Sequence, residues 1–391
     1  MSRAYDVGPA RPEETADLAA IGGWAFTQTP ADMLPWFDRI GMSNVRVIRE
    51  DERPVGMLGV DWMGQWFGGV SIPSAGIGAV AISADRRGHG AATRLMQEVL
   101  REAREAGVPL STLYPATQPL YRSVGYELAG TRFEISLPAH AIDIKDRSQE
   151  LKPATENDRG TMAALYERRA RWSPGNLDRS PYLWDRVLHP RGEAPLSFLA
   201  MGPDGPEGYV IIMKRPPGTI PSDFLVQDVV ATTPASARRI LSFFADHRSV
   251  AKDIIWHGPP NDPLLTHLRE QPYTIKGKFL WMIRVVDVVS ALERRRYPET
   301  ARGELHLKVA DGLLEENDGA FVLDVHDGRG SVRRGGSGRF CIDVRGLATL
   351  YSGFQTPTAI RVAGFLDAPE HDMRLAESLF AGPAPWMSDM F

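Results

Sequence analysis

The sequence is poor in cysteine, in long apolar runs and in net charge, and each shortage excludes a class of protein. Its single cysteine, Cys341, allows no disulfide bond within the chain, which favours a reducing cytoplasm. No stretch approaches the roughly 20 apolar residues of a membrane-spanning helix, and the segment Met1–Asp6 lacks the pattern of a signal peptide. The 45 lysines and arginines nearly balance the 49 aspartates and glutamates, so no global attraction to nucleic acid or membranes is expected. We expect a cytoplasmic protein with no membrane span and no nucleic-acid partner.

The 391 residues suggest two or three domains, since a typical domain has roughly 100–200 residues. With 43% apolar and 24% charged residues, the composition is that of an ordinary globular protein and excludes a disordered chain or a coiled coil. The patterns divide the chain into segments 1–145, 146–286 and 287–391. The second segment repeats the strand–helix–strand order of the first, but its turn Thr232–Ala235 has no glycine. We interpret it as a weak repeat whose second copy lost a phosphate-binding loop.

The third segment predicts a small α+β unit. It has alternating strands over 303–310, 319–325 and 338–344, with a turn-rich stretch joining the last two, followed by helices. Cys341 lies in the last strand between Phe340 and Ile342, so we interpret it as a packing residue.

The strongest local signal is a glycine-containing loop between the buried strand Ala75–Ser83 and an amphipathic helix. Backbone N–H groups at a helix start have no intrahelical partner, so they suit a pyrophosphate. Gly88 and Gly90 allow phosphates to approach the backbone, and Arg86 and Arg87 add positive charge. From these residues alone, an ordinary strand–helix turn with a charged tip is an equal alternative.

This loop resembles motif A of the GNAT (GCN5-related) N-acetyltransferases. Arg87, Gly90 and Ala92 match its Arg/Gln, Gly and Gly/Ala positions. In that family the loop holds the pyrophosphate of acetyl-CoA, and the splayed strand before it hydrogen-bonds the pantetheine arm. The resemblance implies acetyl-CoA as co-substrate. The residues that it assigns to acetyl-CoA are Val80, Ala81, Ile82, Arg87, Gly88, His89, Gly90, Ala91, Ala92, Thr93, Ala116 and Thr117.

The segment Leu120–Tyr126 resembles a second GNAT signature, a tyrosine followed four residues later by glycine and an aromatic residue. The match implies that Tyr121 lies near the CoA sulfur. An unperturbed phenol has a pKa of about 10, so it is protonated at neutral pH and can donate a proton to a departing thiolate. Without the match, a packing tyrosine is the alternative.

Over its full length the sequence resembles the Eis (enhanced intracellular survival) family. This implies an α+β fold of tandem GNAT-like domains, each a mixed sheet flanked by helices, followed by a sterol-carrier-protein-like domain. The catalytic domain would span 1–145, a degenerate GNAT-like domain 146–286, and the sterol-carrier-like domain 287–391. The resemblance also implies a homohexamer.

The last residue, Phe391, also fits that family, in which a C-terminal carboxylate enters the active site as general base for the incoming amine. Chain ends usually fray, and an α-carboxyl with a pKa of about 3.5 is a weak base in water. Burial would raise its pKa, and Trp386, Met387 and Met390 supply apolar groups that could anchor the tail.

The implied activity is transfer of an acetyl group to primary amines of aminoglycosides, polyamines or lysine side chains, by direct attack in a ternary complex. Acetylation of aminoglycosides would confer antibiotic resistance. Trp24, Phe26 and Trp36 fall in the region that lines the acceptor cleft, and aromatic rings attract ammonium groups. Asp389 could pair with a cationic amine. The alternatives are core packing for each aromatic residue and a solvated tail charge for Asp389.

The nine histidines show no metal-binding spacing, so no metal is expected. The alternative function is a non-catalytic lipid-binding or interaction protein with a vestigial transferase domain, which the sterol-carrier-like segment would suit.

Overall fold

The structure is a computed structural model that describes residues 5–190, 195–213, 218 and 220–391. The described residues form two compact units. Unit 1 comprises residues up to Gly130, Leu280–Pro383 and Phe391, and unit 2 comprises Thr131–Phe279 and Ala384–Met390. None of the described helices is long and apolar enough to cross a membrane.

Unit 1 begins with a mixed sheet in the order β1-β2-β3-β4-β5. Neighbours are antiparallel except β4 and β5, which are parallel. The elements are β1 (Tyr5–Pro9), α1 (Thr15–Phe26), α2 (Pro30–Ile40), β2 (Val45–Glu50), β3 (Arg53–Phe67), β4 (Val70–Ile82), α3 (Ala91–Glu105), β5 (Leu110–Leu113), α4 (Gln118–Arg122) and β6 (Glu127–Pro138).

Helix α3 forms where the periodicity predicts it and buries the predicted apolar face. Leu95, Met96, Val99, Leu100 and Ala103 are all buried. They recur at helical spacing, so one stripe of the helix faces the sheet while its charged residues face outward. This packing fixes the start of α3 next to the end of β4.

Strand β4 contains a β-bulge near its carboxyl end, opposite Leu58 of β3. Gly59 pairs with Gly78 and Met57 with Ala81, so two residues of β4 oppose only Leu58 of β3. Ala79 is one of them and adopts a left-handed conformation with φ +52°. Such a bulge bends the strand and interrupts its hydrogen-bond ladder. The parallel pairing of β4 with β5 ends at Ile77 and Leu113, the last residue of β5, whereas β4 continues to Ile82. This leaves an opening beside the carboxyl end of β4.

Unit 2 repeats this arrangement with β11 and β12 as the parallel pair. Its sheet continues from β12 through β11, β10 and β9 to β7. Its elements are β7 (Glu150–Pro153), α5 (Arg159–Ala170), β8 (Leu177–Asp178), α6 (Pro181–Leu188), β9 (Leu196–Gly202), β10 (Gly205–Ile212), β11 (Ser222–Ala231), α7 (Pro234–Asp246), β12 (Ala251–Gly258) and β13 (Thr274–Val285), of which β13, like β6, contributes residues to both units.

The C-terminal part of unit 1 is a five-stranded sheet, in the order β16-β15-β14-β17-β18, with helices packed on it. Its elements are α8 (Val288–Arg294), β14 (Gly303–Ala310), β15 (Gly319–His326), β16 (Arg329–Arg334), β17 (Phe340–Asp343), α9 (Val344–Ser352), α10 (Pro357–Val362), β18 (Leu366–Asp367) and α11 (Glu370–Leu379).

Two predictions for this part were wrong. The stretch expected to be rich in turns, Asp327–Gly338, forms over half of its length the edge strand β16, whose Arg-rich, mostly exposed sequence lacks the alternation of a buried strand. Cys341 is exposed, because side chains alternate along a strand and its neighbours Phe340 and Ile342 take the buried face of β17.

A buried ion pair holds the two parts of unit 1 together. Arg284 Nη2 lies 2.7 Å from each carboxylate oxygen of Asp311, and its Nε donates to the Val124 carbonyl at 3.0 Å. Gly125 has φ +90°, and a Cβ there would lie 2.7 Å from Arg284 Nε. The glycine of the tyrosine signature is thus required by its backbone conformation and by the arginine beside it.

Replacing Asp311 by Asn should destabilise the protein by about 3 kcal/mol, because it leaves a buried guanidinium without its counter-charge. The measurement is the shift of the urea unfolding midpoint. The matched control is Glu370→Gln, which breaks the exposed pair between Arg361 and Glu370 and should cost no more than about 1 kcal/mol. Equal shifts for the two variants would contradict the role given to Arg284.

Candidate active site

The candidate site forms at the carboxyl end of β4, beyond its last pair with β5. One core cluster joins Ile77 and Ile82 of β4, Leu113 of β5, Ala91 of α3 and Tyr121 of α4. The core thus joins the end of β4, the start of α3 and the tyrosine, although Ile77 and Tyr121 are 44 residues apart in the sequence. Ala116 and Thr117 lie exposed just before α4.

The loop between β4 and α3 leaves the start of α3 open. Gly88 and Gly90 have φ of +78° and +84°, and a Cβ on either would meet nothing within 4 Å. Glycine is needed here for its conformation, not for space. Gly90 is the N-cap of α3, and no side chain caps the helix. The first N–H groups, including those of Ala91, Ala92 and Thr93, are therefore available to an anion.

The charged residues of the loop differ in their surroundings. Arg86 is held by Glu50 and Asp85, so its charge is neutralised within the protein. Arg87 and His89 are exposed, and His89 Nδ1 lies 2.8 Å from the Arg87 carbonyl oxygen. Of the two arginines singled out from the sequence, Arg87 is the one placed to meet a ligand.

Tyr121 is only 5% exposed and packs edge-on against Tyr126, with ring centroids 6.2 Å apart. Burial raises the pKa of Tyr121 above its ordinary value. The phenol is therefore protonated at neutral pH, as a proton donor must be. Tyr126 is fully buried, and its hydroxyl lies 2.6 Å from Ser111 Oγ, which makes it a structural tyrosine.

Phe391 packs on β4 within unit 1. A Cβ on Gly76 would lie 3.1 Å from its ring, and a Cβ on Gly78 would lie 3.5 Å from its carboxyl carbon. Tyr114, just after β5, makes an edge-on contact with the ring at 6.0 Å. The carboxyl group thus lies beside the bulge at Ala79.

The residues before Phe391 are fixed in unit 2 by main-chain hydrogen bonds. Trp386 N donates to the Pro174 carbonyl at 2.9 Å, and Met387 N donates to the Thr131 carbonyl at 3.1 Å. Arg186 Nη2 donates to the Met390 carbonyl at 3.0 Å. This tail, residues 384–390, therefore does not behave like a frayed chain end.

Asp389 is buried, with 7% exposure. Its Oδ1 accepts a hydrogen bond from Arg179 Nε at 2.9 Å, and Tyr166 OH donates to its Oδ2 at 3.3 Å. Arg179 also lies 2.7 Å from Asp228. These contacts support an anchoring role for Asp389 in place of the predicted contact with an amine.

The three aromatic residues predicted for the acceptor site differ in exposure. Trp24 is 71% exposed and Phe26 41% exposed, both near the end of α1. Trp36 of α2 is half-buried and lies over β3, since a Cβ on Gly59 would approach its ring to 2.7 Å. Exposed aromatic rings are free to contact a ligand, so Trp24 and Phe26 are better placed than Trp36.

Comparison with known proteins decides the family. The structure superposes with a TM-score of 0.95 on a GCN5-related N-acetyltransferase from Anabaena variabilis, which is 36% identical and matches 99% of this chain and 100% of its own. The chain belongs to the GCN5-related N-acetyltransferases. Models of the acetyltransferase (GNAT) domain match residues 6–129 and 175–285, and a sterol carrier protein domain model matches 288–388. The predicted fold class and acyltransferase activity are confirmed.

The predicted likeness to Eis is also confirmed. N-acetyltransferase Eis of Mycobacterium tuberculosis is 27% identical over 380 residues, which cover 91% of each chain. Eis1 of Mycobacterium abscessus, at 21% identity and a TM-score of 0.80, shares the fold over 99% of this chain. This GNAT protein has two GNAT domains followed by a sterol carrier protein domain.

Sequence reasoning missed three features of this GNAT site, namely the left-handed Ala79, the contact of Tyr114, and the two glycines beneath Phe391. One signal was present: glycines inside a buried strand often mark the close approach of another chain segment. Gly76 and Gly78 flank Ile77 in the run that was interpreted only as a buried strand. Among the described residues, no cluster of His, Cys, Asp or Glu is arranged to hold a metal ion.

Gly78→Val should strongly reduce acetyl transfer by this GNAT protein, because its methyl groups would occupy the space of the Phe391 carboxyl group. The matched control is Gly78→Ala, whose Cβ would make an ordinary contact at 3.5 Å and should change kcat less than threefold. Thiol release from acetyl-CoA measures both variants. Similar rates for Val and Ala would show that the space over Gly78 does not matter.

Proposed function

We propose that this protein transfers the acetyl group of acetyl-CoA directly to a primary amine in a ternary complex. The observation that carries the proposal is the carboxyl group of Phe391 beside the bulge of β4, in the unit that also holds the open start of α3 and the buried Tyr121. The arrangement offers an anion site, a proton acceptor and a proton donor at one end of one sheet.

The residues present fit acetyl-CoA. The uncapped start of α3 would hold the pyrophosphate, with Arg87 adding positive charge. Where β4 separates from β5, the backbone groups of Val80, Ala81 and Ile82 would hydrogen-bond the pantetheine arm. When bound, acetyl-CoA supplies an activated acyl group.

Two groups of the chain would move protons. The Phe391 carboxylate accepts a proton from the amine as its nitrogen bonds to the acetyl carbon. Tyr121 donates its proton to the sulfur as the C–S bond breaks. Backbone N–H groups near the bulge stabilise the negative charge that develops on the carbonyl oxygen. The products are an acetamide and CoA thiol. The Phe391 carboxyl group then releases its proton to solvent, and Tyr121 takes one proton from solvent.

The proposed acceptors are aminoglycosides, polyamines or lysine side chains. Trp24 and Phe26 would form an exposed aromatic wall for a sugar ring or an alkyl stem next to an ammonium group. Acetylation of aminoglycosides would give antibiotic resistance.

By likeness to Eis, we also propose a homohexamer, which light scattering would test. The lipid-binding alternative would instead be favoured if none of these amines supported thiol release from acetyl-CoA and the protein bound a lipid tightly.

Tyr121→Phe should lower kcat by roughly 100-fold at pH 7 with little change in KM for the amine, because only the proton donor is lost. The measurement is thiol release at saturating acetyl-CoA. Tyr297→Phe, which removes an equally buried hydroxyl that donates to the Leu292 carbonyl, is the control and should leave kcat unchanged. An unchanged kcat for Tyr121→Phe would remove this residue from the mechanism.

Adding one glycine after Phe391 should lower kcat at least tenfold at pH 7, because the carboxylate moves by about 3.6 Å. The loss should shrink as pH rises toward 10, where amines deprotonate without a general base. A version with an amidated C-terminus keeps the length, removes the charge and should show the same loss. CoA affinity, measured by calorimetry, should not change. Full activity of the extended chain at pH 7 would exclude the carboxylate as base.

A further inference from the structure

A cavity of about 330 Å³ lies within unit 2, beyond the point where β11 and β12 stop pairing. Their parallel pairing ends at Leu225 and Ile255. Past that point the cavity is lined by Val229 and Ala231 of β11 and by His257 of β12. Its volume is at the lower end of the roughly 300–1,000 Å³ range of small-molecule sites.

This cavity occupies the same topological position as the β4–β5 opening in unit 1, but it has no phosphate cradle. The helix that follows β11 begins with Pro234, and its cap is satisfied within the protein. Ser236 N donates to Thr233 Oγ1 at 3.1 Å, and Thr233 N donates to Ser236 Oγ at 3.2 Å. Because these two N–H groups already donate to acceptors within the protein and the turn has no glycine, the site does not suit the phosphates of a nucleotide.

Most polar groups on the cavity wall already make hydrogen bonds within the protein or carry no charge. Asp262 is buried, and its two oxygens accept from Trp256 Nε1 at 2.8 Å and Leu264 N at 2.9 Å. Burial and Arg132 lower the pKa of His257 to about 3, so its imidazole is neutral at pH 7. Burial likewise lowers the pKa of His267.

Arg169 is the cationic side chain at neutral pH among the described residues that line the cavity. Its Nη1 donates to the Val229 carbonyl at 2.7 Å, and its Nη2 donates to Ser388 Oγ at 3.1 Å. The carboxylate near it, Asp228 at 3.5 Å, lies closer to Arg179, at 2.7 Å. Arg169 therefore shares its counter-charge with a second arginine.

The rest of the wall combines apolar side chains with four hydroxyl groups. The hydroxyl groups belong to Ser173, Thr232, Thr233 and Thr266, and the apolar residues include Val229, Pro234, Ala237, Pro259, Leu264 and Trp386. A mainly apolar wall that contains one guanidinium is complementary to a molecule with an apolar body and one negative charge.

We propose that this cavity binds a small monocarboxylic acid with an apolar, preferably aromatic, body, whose carboxylate pairs with Arg169. Because Arg169 also stacks on the Trp386 ring at 5.2 Å and bonds Ser388, the ligand contacts the groups that hold the tail. The second GNAT-like domain would thus keep a binding cleft, with an acid in place of a nucleotide.

Calorimetry with benzoate on the full chain, without CoA, tests the proposal independently of catalysis. Benzoate should bind at one site per chain. Benzamide has the same shape without the charge and should bind at least about tenfold more weakly, a difference of about 1.4 kcal/mol. Equal binding of the two compounds, or no binding of benzoate, would overturn the proposal.

Two substitutions on α7 locate the site. Ala237→Leu adds three carbon atoms to the cavity wall and should weaken benzoate binding at least tenfold, whereas Ala235→Leu, on the same helix but off the cavity wall, should not weaken it. Arg169→Gln should weaken binding about tenfold, and Arg169→Lys, which keeps the charge, should weaken it less. Unchanged binding to Ala237→Leu would place the ligand elsewhere.

Hydrogen exchange gives a readout that does not depend on activity. Bound benzoate should slow exchange of the Trp386 and Met387 amides, which bond the Pro174 and Thr131 carbonyls. Unchanged exchange with benzoate bound would contradict a site next to the tail.

Discussion

Much of the proposed chemistry depends on one buried arginine. Arg179 lies with its side chain 1% exposed, between Asp228 at 2.7 Å and Asp389 at 2.9 Å. Burying three charges costs several kcal/mol per ion, and the cost is offset only while all three stay paired and hydrogen-bonded. Tyr209 donates to Asp228 at 2.7 Å, and although burial raises the pKa of Asp228, the two arginines beside it lower that pKa more, so it stays ionised. A shift of Asp389 would leave Arg179 partly unpaired, so the position of Asp389 is strongly specified.

The proposed base follows Asp389 by two residues, which span at most about 7 Å when fully extended. A carboxyl group at a chain end belongs to the main chain, so no side-chain rotamer can adjust its position. In unit 2, the ion pair at Asp389 and the main-chain bonds of Trp386 and Met387 hold the residues before it. In unit 1, the glycines of β4 let Phe391 itself lie close to the strand.

The sequence predicts those parts of the fold that depend on local pattern. Helices α3 and α6 and strand β14 follow from apolar periodicity, and the loop with Gly88 and Gly90 follows from residues adjacent in the chain. The bulge at Ala79 is not predictable in this way, since alanine has no preference for a left-handed conformation. Nor is the partner of Asp389, which is 210 residues away in the sequence and meets it only through the tertiary fold. The resemblance to a family supplied Phe391, but only the structure supplied the contacts that hold the tail.

The two GNAT-like domains show how a few residues decide what the same topology can bind. Each has a parallel strand pair that opens before a helix, so each offers a cleft next to a helix start. The N–H groups of that start need acceptors. In the first domain Gly90 provides none, so a ligand can supply them. In the second domain Thr233 and Ser236 supply them from the protein itself, which removes the anion site but leaves the cleft. A turn without a phosphate-binding loop therefore does not by itself exclude binding, because the proposed acid site needs only a mainly apolar wall and a single guanidinium where β11 and β12 stop pairing.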